Sequence, residues 1–256
     1  MTLAPISETQ SLIQARIDLA GALRFAAELN LHEGVCNHFS LSVPRSDGTD
    51  AFLINPQGIQ WTEILPSDLV LVDAKGNKLH GKHTVEPTAF FIHGCIHKAK
   101  TKARCIMHTH MPYATALTLL EDGQLEWASQ NSLRFYDRVA YDSEYRGLAL
   151  DDAEGDRICS KLAGAEILFM ANHGVLVCAE NAAYAFDDLY YLERACMVQL
   201  LAQSTGKALR RVSAEVAALT ARQFTEDRQQ STLHFEALQK SLRLKDPSWL
   251  ADLQTI

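Results

Sequence analysis

Hydrophobic and polar residues repeat with two different periods along the chain, and each period predicts a different kind of element. From residue 9 to 29, apolar residues recur at steps of three and four, which predicts an amphipathic helix that stops near Gly34. In NHFSLSVP apolar residues alternate with polar ones, and after the turn-rich RSDGTD the segment AFLINP is again apolar. These two segments are typical of antiparallel strands joined by a turn.

The rest of the chain continues this alternation of helices and strands. Two short strands are predicted around the turn in DLVLVDAKGNKLHG, another in ARCIMHTH, and two more in ILFMANHGVLVC, where Asn-His-Gly marks a tight turn. Helices are predicted over 89–99 with Thr88 as cap, from Pro112, over 151–163, from Asn181 to about Ser204, and over 213–240. This order predicts an α/β sandwich with a largely antiparallel sheet.

The domain organisation is predicted to be simple. No internal repeat, low-complexity tract or Pro/Gly/Ser-rich linker divides the sequence. We therefore predict one domain over residues 8–210, with residues 211–256 as a helical C-terminal extension of the same domain.

Composition narrows the possible partners. The 256 residues are 47% apolar and carry a formal charge of −7, which fits a globular domain and excludes disordered, collagen-like and disulfide-framework classes. The mild acidity argues against nucleic acid or an anionic membrane as the main partner. Neither a secretory signal nor an apolar run of about 20 residues is visible, so we expect a cytoplasmic protein whose six cysteines are free, buried thiols.

The histidines carry the strongest local signal for chemistry. His108 and His110 stand two positions apart on a predicted strand, so their rings leave the same face and can bind one ion. His173 lies in the predicted Asn-His-Gly turn, from which its ring can project beyond the sheet. Three neutral imidazoles leave a divalent metal an open position, as in catalytic sites. The alternative is a set of histidines that only hydrogen-bond to the backbone.

Five segments together resemble a known family. They are CNHFSLSVP, FLINPQGIQWTEILPSDLVLVDAKGN, PTAFFIHGCIHKAK, CIMHTHMPYATAL and FMANHGVLVCAENAAYAFDDLYYLE. In this order they resemble the class II aldolase and adducin head-domain family, over about residues 10 to 205. The resemblance implies a three-layer α/β/α sandwich around a mostly antiparallel sheet, usually a homotetramer with active sites between subunits. It also matches His108, His110 and His173 to the family's ligands for a divalent metal, normally Zn²⁺, with Mn²⁺ or Fe²⁺ as alternatives.

The resemblance also assigns candidate substrate-binding residues. In the family's sugar-phosphate aldolases, phosphate-binding positions correspond here to Asn37, Gly58 and Thr88, which can offer hydrogen-bond donors. Gln57 and Pro87 depart from the family pattern, and Pro87 offers neither a hydroxyl nor an N–H, which argues against a tightly held phosphate. The NPQG segment is equally well explained as a turn between strands.

The family's catalytic glutamate is replaced by Ala89, whose methyl group cannot move a proton. Glu86 is nearby, but we expect Pro87 to end the extended segment and to direct the Glu86 carboxylate elsewhere. The family's C-terminal catalytic tyrosine is also unmatched, since the last tyrosine is Tyr191. On both counts the sequence resembles the adducin-like branch more closely.

Other titratable residues are weaker candidates. Tyr136, Tyr141 and Asp142, with Tyr145, form a proton-capable cluster in RFYDRVAYDSEYRG that either supplies an acid or base or packs on a neighbouring subunit. His93 and His97 are expected to be structural, four residues apart on a helix. His38 either lines the metal pocket or packs beside the sheet.

These observations predict a metal-dependent carbon–carbon lyase, aldolase or decarboxylase in type, that acts on a small oxygenated acid or carbonyl compound. Decarboxylation needs fewer catalytic groups from the protein than aldol cleavage, because only a proton donor is needed after carbon dioxide leaves. One alternative is a non-catalytic adducin-like module that binds metal and serves assembly. A third hypothesis, oxidative chemistry at iron, lacks the carboxylate of the commonest oxygenase triad. We expect a homo-oligomer, a tetramer as the resemblance implies, with a small-molecule substrate.

Overall fold

The computed structural model describes residues 10–44, 50–99 and 103–255. Its strands are β1 (His38–Pro44), β2 (Asp50–Ile54), β3 (Val70–Asp73), β4 (Lys78–His80), β5 (Cys105–Thr109), β6 (Val139–Asp142), β7 (Ile167–Met170) and β8 (Gly174–Ala179). Its helices are α1 (Gln10–Glu28), α2 (Pro87–Ala99), α3 (Pro112–Thr118), α4 (Gln130–Leu133), α5 (Asp152–Leu162), α6 (Ala182–Gln203), α7 (Ala214–Glu226) and α8 (Gln229–Lys245). The fold is therefore α/β, as predicted.

All eight described strands form one sheet in the order β4-β3-β2-β1-β5-β8-β7-β6. Neighbouring strands are antiparallel except β6 and β7, which are parallel. In this register His38 of β1 lies opposite His108 of β5. The sheet thus brings the start of β1 and the end of β5 together near its centre.

Apolar clusters cover both faces of the sheet. In β5, Cys105 and Met107 belong to the larger cluster, to which α1 and α6 contribute, whereas Ile106 belongs to a second cluster with residues of α2 and α5. Successive strand residues point to opposite faces, which explains this division. The C-terminal segment adds to the larger cluster, since Phe235 of α8 and Trp249 are buried in it. The domain limits 8–210 and 211–256 stay a prediction.

Several elements differ from the sequence-based predictions. Helix α2 begins at Pro87 rather than after a Thr88 cap, because proline fits the first helical turn, where its missing N–H is not needed. The predicted helix over 213–240 is two helices, α7 and α8, separated at Asp227 and Arg228. Strand β6 was missed, because it has only four residues and lies at the sheet edge, without a clear alternation of buried and exposed positions.

Some predictions fall on residues outside the described ranges, namely the start of the first helix at residue 9 and most of the RSDGTD turn.

All six cysteines are free, but only Cys105, Cys178 and Cys196 are buried, and Cys36 is exposed, so the expectation of six buried thiols was wrong. Within the described part of the chain, no helix is both long and apolar enough to span a bilayer.

Candidate metal centre

Three histidines converge at the end of β5. His108 belongs to β5 and His110 follows the strand directly, so their two-residue spacing directs both rings to the same side. His173 comes from the turn between β7 and β8, where Asn172 adopts a left-handed conformation with φ of 57° and His173 N–H donates to the carbonyl of Met170 at 3.1 Å. Pairing of β5 with β8 then places this turn beside His110.

The spacing of the three rings suits a single metal ion. One ring nitrogen from each of His108, His110 and His173 lies within 4.8 Å of the other two. The Nε2 atoms of His108 and His110 are 3.2 Å apart. Two nitrogens bound to one tetrahedral zinc are about 3.4 Å apart, given the usual zinc–nitrogen distance. The donor set therefore fits a divalent ion.

The backbone fixes which nitrogen of His108 is available. Its Nδ1–H donates to the carbonyl oxygen of Val175 at 3.0 Å, since a carbonyl can only accept. The lone pair of neutral His108 is therefore on Nε2, the atom that faces His110. Donation of the second ring N–H to a backbone carbonyl is the usual support of a metal-binding histidine.

Electrostatics keep the three rings neutral. Burial, followed by the neighbouring His110, lowers the pKa of His173 to about 4. Burial and the nearby His173 hold the pKa of His108 well below its ordinary value, and burial lowers the pKa of His110. Neutral imidazoles are the form that binds metal, so the cluster is prepared for a cation near neutral pH.

Asn37 presents a free amide beside this cluster. Its Oδ1 accepts hydrogen bonds from the backbone N–H groups of Glu33 at 2.7 Å and His110 at 3.2 Å. Its buried Nδ2 has no hydrogen-bond partner among the described residues. Asn55, which sequence reasoning missed, supports the strand here: its Oδ1 accepts from Phe39 N–H and its Nδ2 donates to the Asn37 carbonyl. Asn37 is thus held with a donor available for a ligand.

The other two predicted substrate-binding residues lie in neighbouring segments. Gly58 has a φ of 76° in an exposed turn after β2, and Thr88 is half-buried in the first turn of α2. Backbone N–H of Gln57 donates to the carbonyl of Thr84 at 2.9 Å, which joins the two segments. Their role in binding stays a prediction.

His38 belongs to a chain of buried polar groups that begins at the cluster. Its ring centroid is 4.7 Å from that of His108, and its Nδ1 is hydrogen-bonded to Nε2 of His93 at 2.8 Å. His93 Nδ1 is 2.6 Å from Ser40 Oγ, which is 2.7 Å from His97 Nε2. The histidines expected to be merely structural therefore form a continuous hydrogen-bonded chain with His38.

Ala89 and Glu86 occupy contrasting positions. Ala89 is buried in an apolar cluster with Phe52 and Ile54. Glu86 precedes the helix, and its Oε2 lies 3.9 Å from Nε2 of His38. The expectation that Pro87 directs this carboxylate elsewhere was wrong, because Pro87 starts the helix and leaves Glu86 beside His38.

Asp142 lies near His173 but is already paired. Its Oδ2 is 2.7 Å from Arg157 Nη1, and its Oδ1 accepts from Glu144 N–H at 3.2 Å. Its charge acts to raise the pKa of His173 against the larger effect of burial. This candidate acid or base is therefore already engaged in an ion pair with Arg157.

The tyrosines are divided between the core and the site. Tyr141 stacks on Phe169, its hydroxyl oxygen accepts from Leu125 N–H at 3.0 Å, and burial raises its pKa to about 12. Tyr136 packs edge-on against Trp127. Tyr145 is the tyrosine that approaches the cluster, with its ring centroid 6.3 Å from that of His173.

Comparison with known proteins identifies the family. The model of the family described as Class II Aldolase and Adducin N-terminal domain matches residues 17–200 of this chain. A candidate class 2 aldolase protein of Pseudomonas aeruginosa is 35% identical over 206 residues, which are 80% of this chain and 78% of that protein. Decarboxylase NovR of Streptomyces niveus is 31% identical, over 80% of this chain and 73% of its own length.

A solved structure agrees. The crystal structure of an aldolase II superfamily protein from Pseudomonas syringae has a TM-score of 0.86 and 32% identity, and the match covers 93% of this chain and 95% of that chain. The resemblance inferred from five sequence segments is thereby confirmed. The chain belongs to the class II aldolase and adducin N-terminal domain family.

Proposed function

We propose that the protein is a metal-dependent carbon–carbon lyase, aldolase or decarboxylase in type, that acts on a small oxygenated acid or carbonyl compound. The observation that carries this proposal is the convergence of ring nitrogens from His108, His110 and His173 within 4.8 Å. These three residues are proposed to hold a divalent ion, with Zn²⁺ first and Mn²⁺ or Fe²⁺ as alternatives. When bound, such an ion supplies Lewis-acid stabilisation for charge that develops on a substrate oxygen.

Decarboxylation is the favoured reaction within this class. Ala89 supplies no proton-transfer group, whereas loss of carbon dioxide needs only a donor that later protonates the remaining carbon. The similarity to a protein named a decarboxylase supports this choice. Aldol cleavage would require another residue to remove the proton from the substrate hydroxyl.

The protein groups beside the histidines are suited to binding an oxygenated substrate. The Asn37 amide is oriented by two backbone donors to its Oδ1, so we assign its Nδ2–H to a substrate oxygen. Gly58 and Thr88 are proposed to border the same substrate from the adjoining segments. An apolar replacement for the usual glutamate argues against the proton transfer typical of a sugar-phosphate aldolase.

One observation favours a second candidate function. Ala89 is 1% exposed and packed among apolar residues, as expected if this position serves the fold alone. A non-catalytic adducin-like module that binds metal and serves assembly would need no proton carrier. It gives no reason, however, for three neutral imidazoles and an unpartnered amide to meet at one place.

The first experiment measures metal in protein purified without added ions. We expect about one equivalent of a divalent metal per chain, lost in His108→Ala and kept in the control His83→Ala, because His83 pairs with Asp68 outside the cluster. Equal metal content in both variants would overturn the three-histidine site. A panel of 2-oxo acids, 2-hydroxy acids, β-oxo acids and aldehydes then separates the two functions. Turnover that chelation abolishes supports the lyase, and no turnover with any compound supports the module.

We also propose a homo-oligomer, a tetramer in the first place, with three-layer α/β/α subunits and the site near an interface. Tyr145, whose ring centroid is 6.3 Å from that of His173, is exposed, and so are Leu148 and Leu150 a few residues further along the chain, Leu148 to 70%. Apolar side chains grouped beside a site are typical of a surface that a partner covers. Light scattering on the purified protein measures the number of chains, and a monomer at micromolar concentration contradicts this proposal.

A further inference from the structure

A lyase of the proposed kind needs a group that carries a proton, and the position used by the family's aldolases holds Ala89. Four carboxylates lie around the histidines in the described structure: Glu33, Glu86, Asp142 and Glu154. Their surroundings differ, and these differences decide which of them can exchange a proton with a substrate.

Arg157 engages two of these carboxylates. Its Nη1 is 2.7 Å from Asp142 Oδ2, and its Nη2 is 2.7 Å from Glu154 Oε1. A carboxylate held by a guanidinium has its oxygens occupied by charge-assisted hydrogen bonds. Asp142 is in addition buried away from solvent, with 1% of its side chain exposed. Neither carboxylate can turn toward a substrate without breaking its ion pair with Arg157.

Glu33 takes part in the site through its backbone. Its N–H donates to Asn37 Oδ1, while its side chain is exposed. An exposed carboxylate that no contact orients is poorly placed for proton transfer to a bound substrate.

Glu86 lies beside His38 and has access to water. Its Oε2 faces Nε2 of His38 at 3.9 Å, and 30% of its side chain is exposed. Among the described residues, no lysine or arginine forms an ion pair with it. It can therefore take up and release a proton without disrupting an ion pair, and it can be reset by solvent.

The buried chain behind His38 fixes the direction of that ring. With neutral rings, the contacts among His38, His93, Ser40 and His97 can be satisfied in two ways. In one, each N–H or O–H donates away from the site, which leaves a lone pair on His38 Nε2. In the other, every donor is reversed, and His38 carries its proton on Nε2, the atom that lies 3.9 Å from Glu86 Oε2, which is beyond hydrogen-bond distance. Both arrangements keep the ring in place, so the position of His38 Nε2 beside Glu86 does not depend on which of them is adopted.

We propose that Glu86 is the proton-carrying catalytic residue of this protein and that it replaces the carboxylate absent at Ala89. The proposal rests on the lyase function above. In decarboxylation the bond between the carboxylate carbon and its neighbour breaks, and the electron pair stays on the substrate. The protonated Glu86 then gives its proton to that carbon, the C–H bond forms, and Glu86 regains a proton from water. In the reverse sense, its carboxylate removes a proton from carbon.

The test follows carbon–hydrogen exchange in D₂O, with metal-loaded protein and with pyruvate and dihydroxyacetone as separate probes. We expect wild-type protein to accelerate deuterium incorporation into at least one probe. Glu86→Gln should exchange about 100-fold more slowly, and Glu86→Asp should retain part of the rate. The matched control is Glu63→Gln, an exposed glutamate outside the site, which should behave as wild type. Metal content and thermal unfolding are measured for every variant.

A second readout needs no turnover. In metal-free protein labelled with ¹⁵N-histidine, Glu86→Gln should shift the ring-nitrogen signal of His38, and Glu63→Gln should leave it unchanged. Wild-type exchange in Glu86→Gln, loss of its metal, or no acceleration by wild-type protein would each overturn the role of Glu86. If metal-dependent turnover of an acid persists in any of these cases, the lyase function stands and the assignment of Glu86 alone fails.

Discussion

The backbone of Gly174 lies against the ring of His110, so that a β-carbon at Gly174 would come within 2.8 Å of His110 Cδ2. The same β-carbon would meet the carbonyl oxygen of Thr109 at 2.5 Å. Only glycine allows β8 to begin this close to the end of β5. The residue after His173 is therefore part of the reason that the turn and the strand bring their histidines together.

Replacing Gly174 with alanine should separate these two segments. We expect Gly174→Ala to lower the free energy of unfolding by about 1–3 kcal/mol, as overpacking against backbone does, and to weaken metal binding by displacing His110. Urea unfolding and metal titration measure the two effects. The control is Gly21→Ala in α1, where a β-carbon makes an ordinary contact of 3.6 Å with Trp249. Unchanged metal affinity in Gly174→Ala would contradict the proposed role of close packing.

Two substitutions at Asn37 should separate support of the backbone from binding of a ligand. Asn37→Ala removes the acceptor for Glu33 and His110 N–H, so we expect a loss of about 1–3 kcal/mol in unfolding free energy. Asn37→Asp keeps an acceptor oxygen but lacks the amide donor and adds a negative charge. We expect metal-loaded Asn37→Asp to bind oxalate at least about tenfold more weakly than wild-type protein, because one charge-assisted hydrogen bond is lost. Calorimetry measures the two affinities. Equal oxalate affinity would mean that the Asn37 amide does not face the ligand.

Local sequence patterns predicted part of the site for a simple physical reason. A strand directs residues two apart to one side, so the spacing of His108 and His110 was sufficient to predict that their rings converge. His173 reaches them through the pairing of β5 with β8, and no local period encodes which strands become neighbours. Its assignment as a third ligand needed the family resemblance as well.

Glu86 shows why other parts could not be predicted. A proline both disfavours a helical residue before it and fits the first turn of a helix, so Pro87 alone allowed two opposite conclusions about the preceding side chain. The structure selects the second, which places Glu86 beside His38. The links from His38 to His93 and Ser40 likewise join β1 to α2 across the fold and leave no pattern in the sequence.

The pH dependence of the unfolding free energy should reveal how much the charged, buried carboxylate of Asp188 stabilises the fold. Burial alone would raise its pKa, but attraction to Arg138 and contacts with Arg228 outweigh burial and lower it. Because its pKa is lower in the folded state, the charged carboxylate stabilises the fold, and this contribution is complete at pH values above the unfolded-state pKa of about 3.9. The contribution is lost as the pH falls through the folded-state pKa.

Asp188→Asn removes the buried charged partner of Arg138 and Arg228, and leaves Arg138 with only the half-exposed Glu166. We expect it to lower the unfolding free energy by about 3–5 kcal/mol at pH 7. Since wild-type Asp188 becomes protonated in acid, the difference between the two proteins should narrow below about pH 4. Urea unfolding of both proteins from pH 7 to 3 measures this difference, and a difference independent of pH would exclude the ion pairs as its source.

Trp249 should show whether the C-terminal segment folds with the rest of the domain. It is fully buried, its ring meets α1 at Gly21, and Arg24 lies 6.0 Å from its ring centroid. We expect Trp249→Ala to destabilise the protein by about 3–5 kcal/mol, because a large cavity would open against α1. Unfolding should remain a single transition, as for one cooperative unit. The control Leu244→Ala changes a side chain that is 76% exposed on α8 and should alter stability by less than about 0.5 kcal/mol. A separate early transition in Trp249→Ala, with the main one unchanged, would show instead that residues after 211 unfold independently.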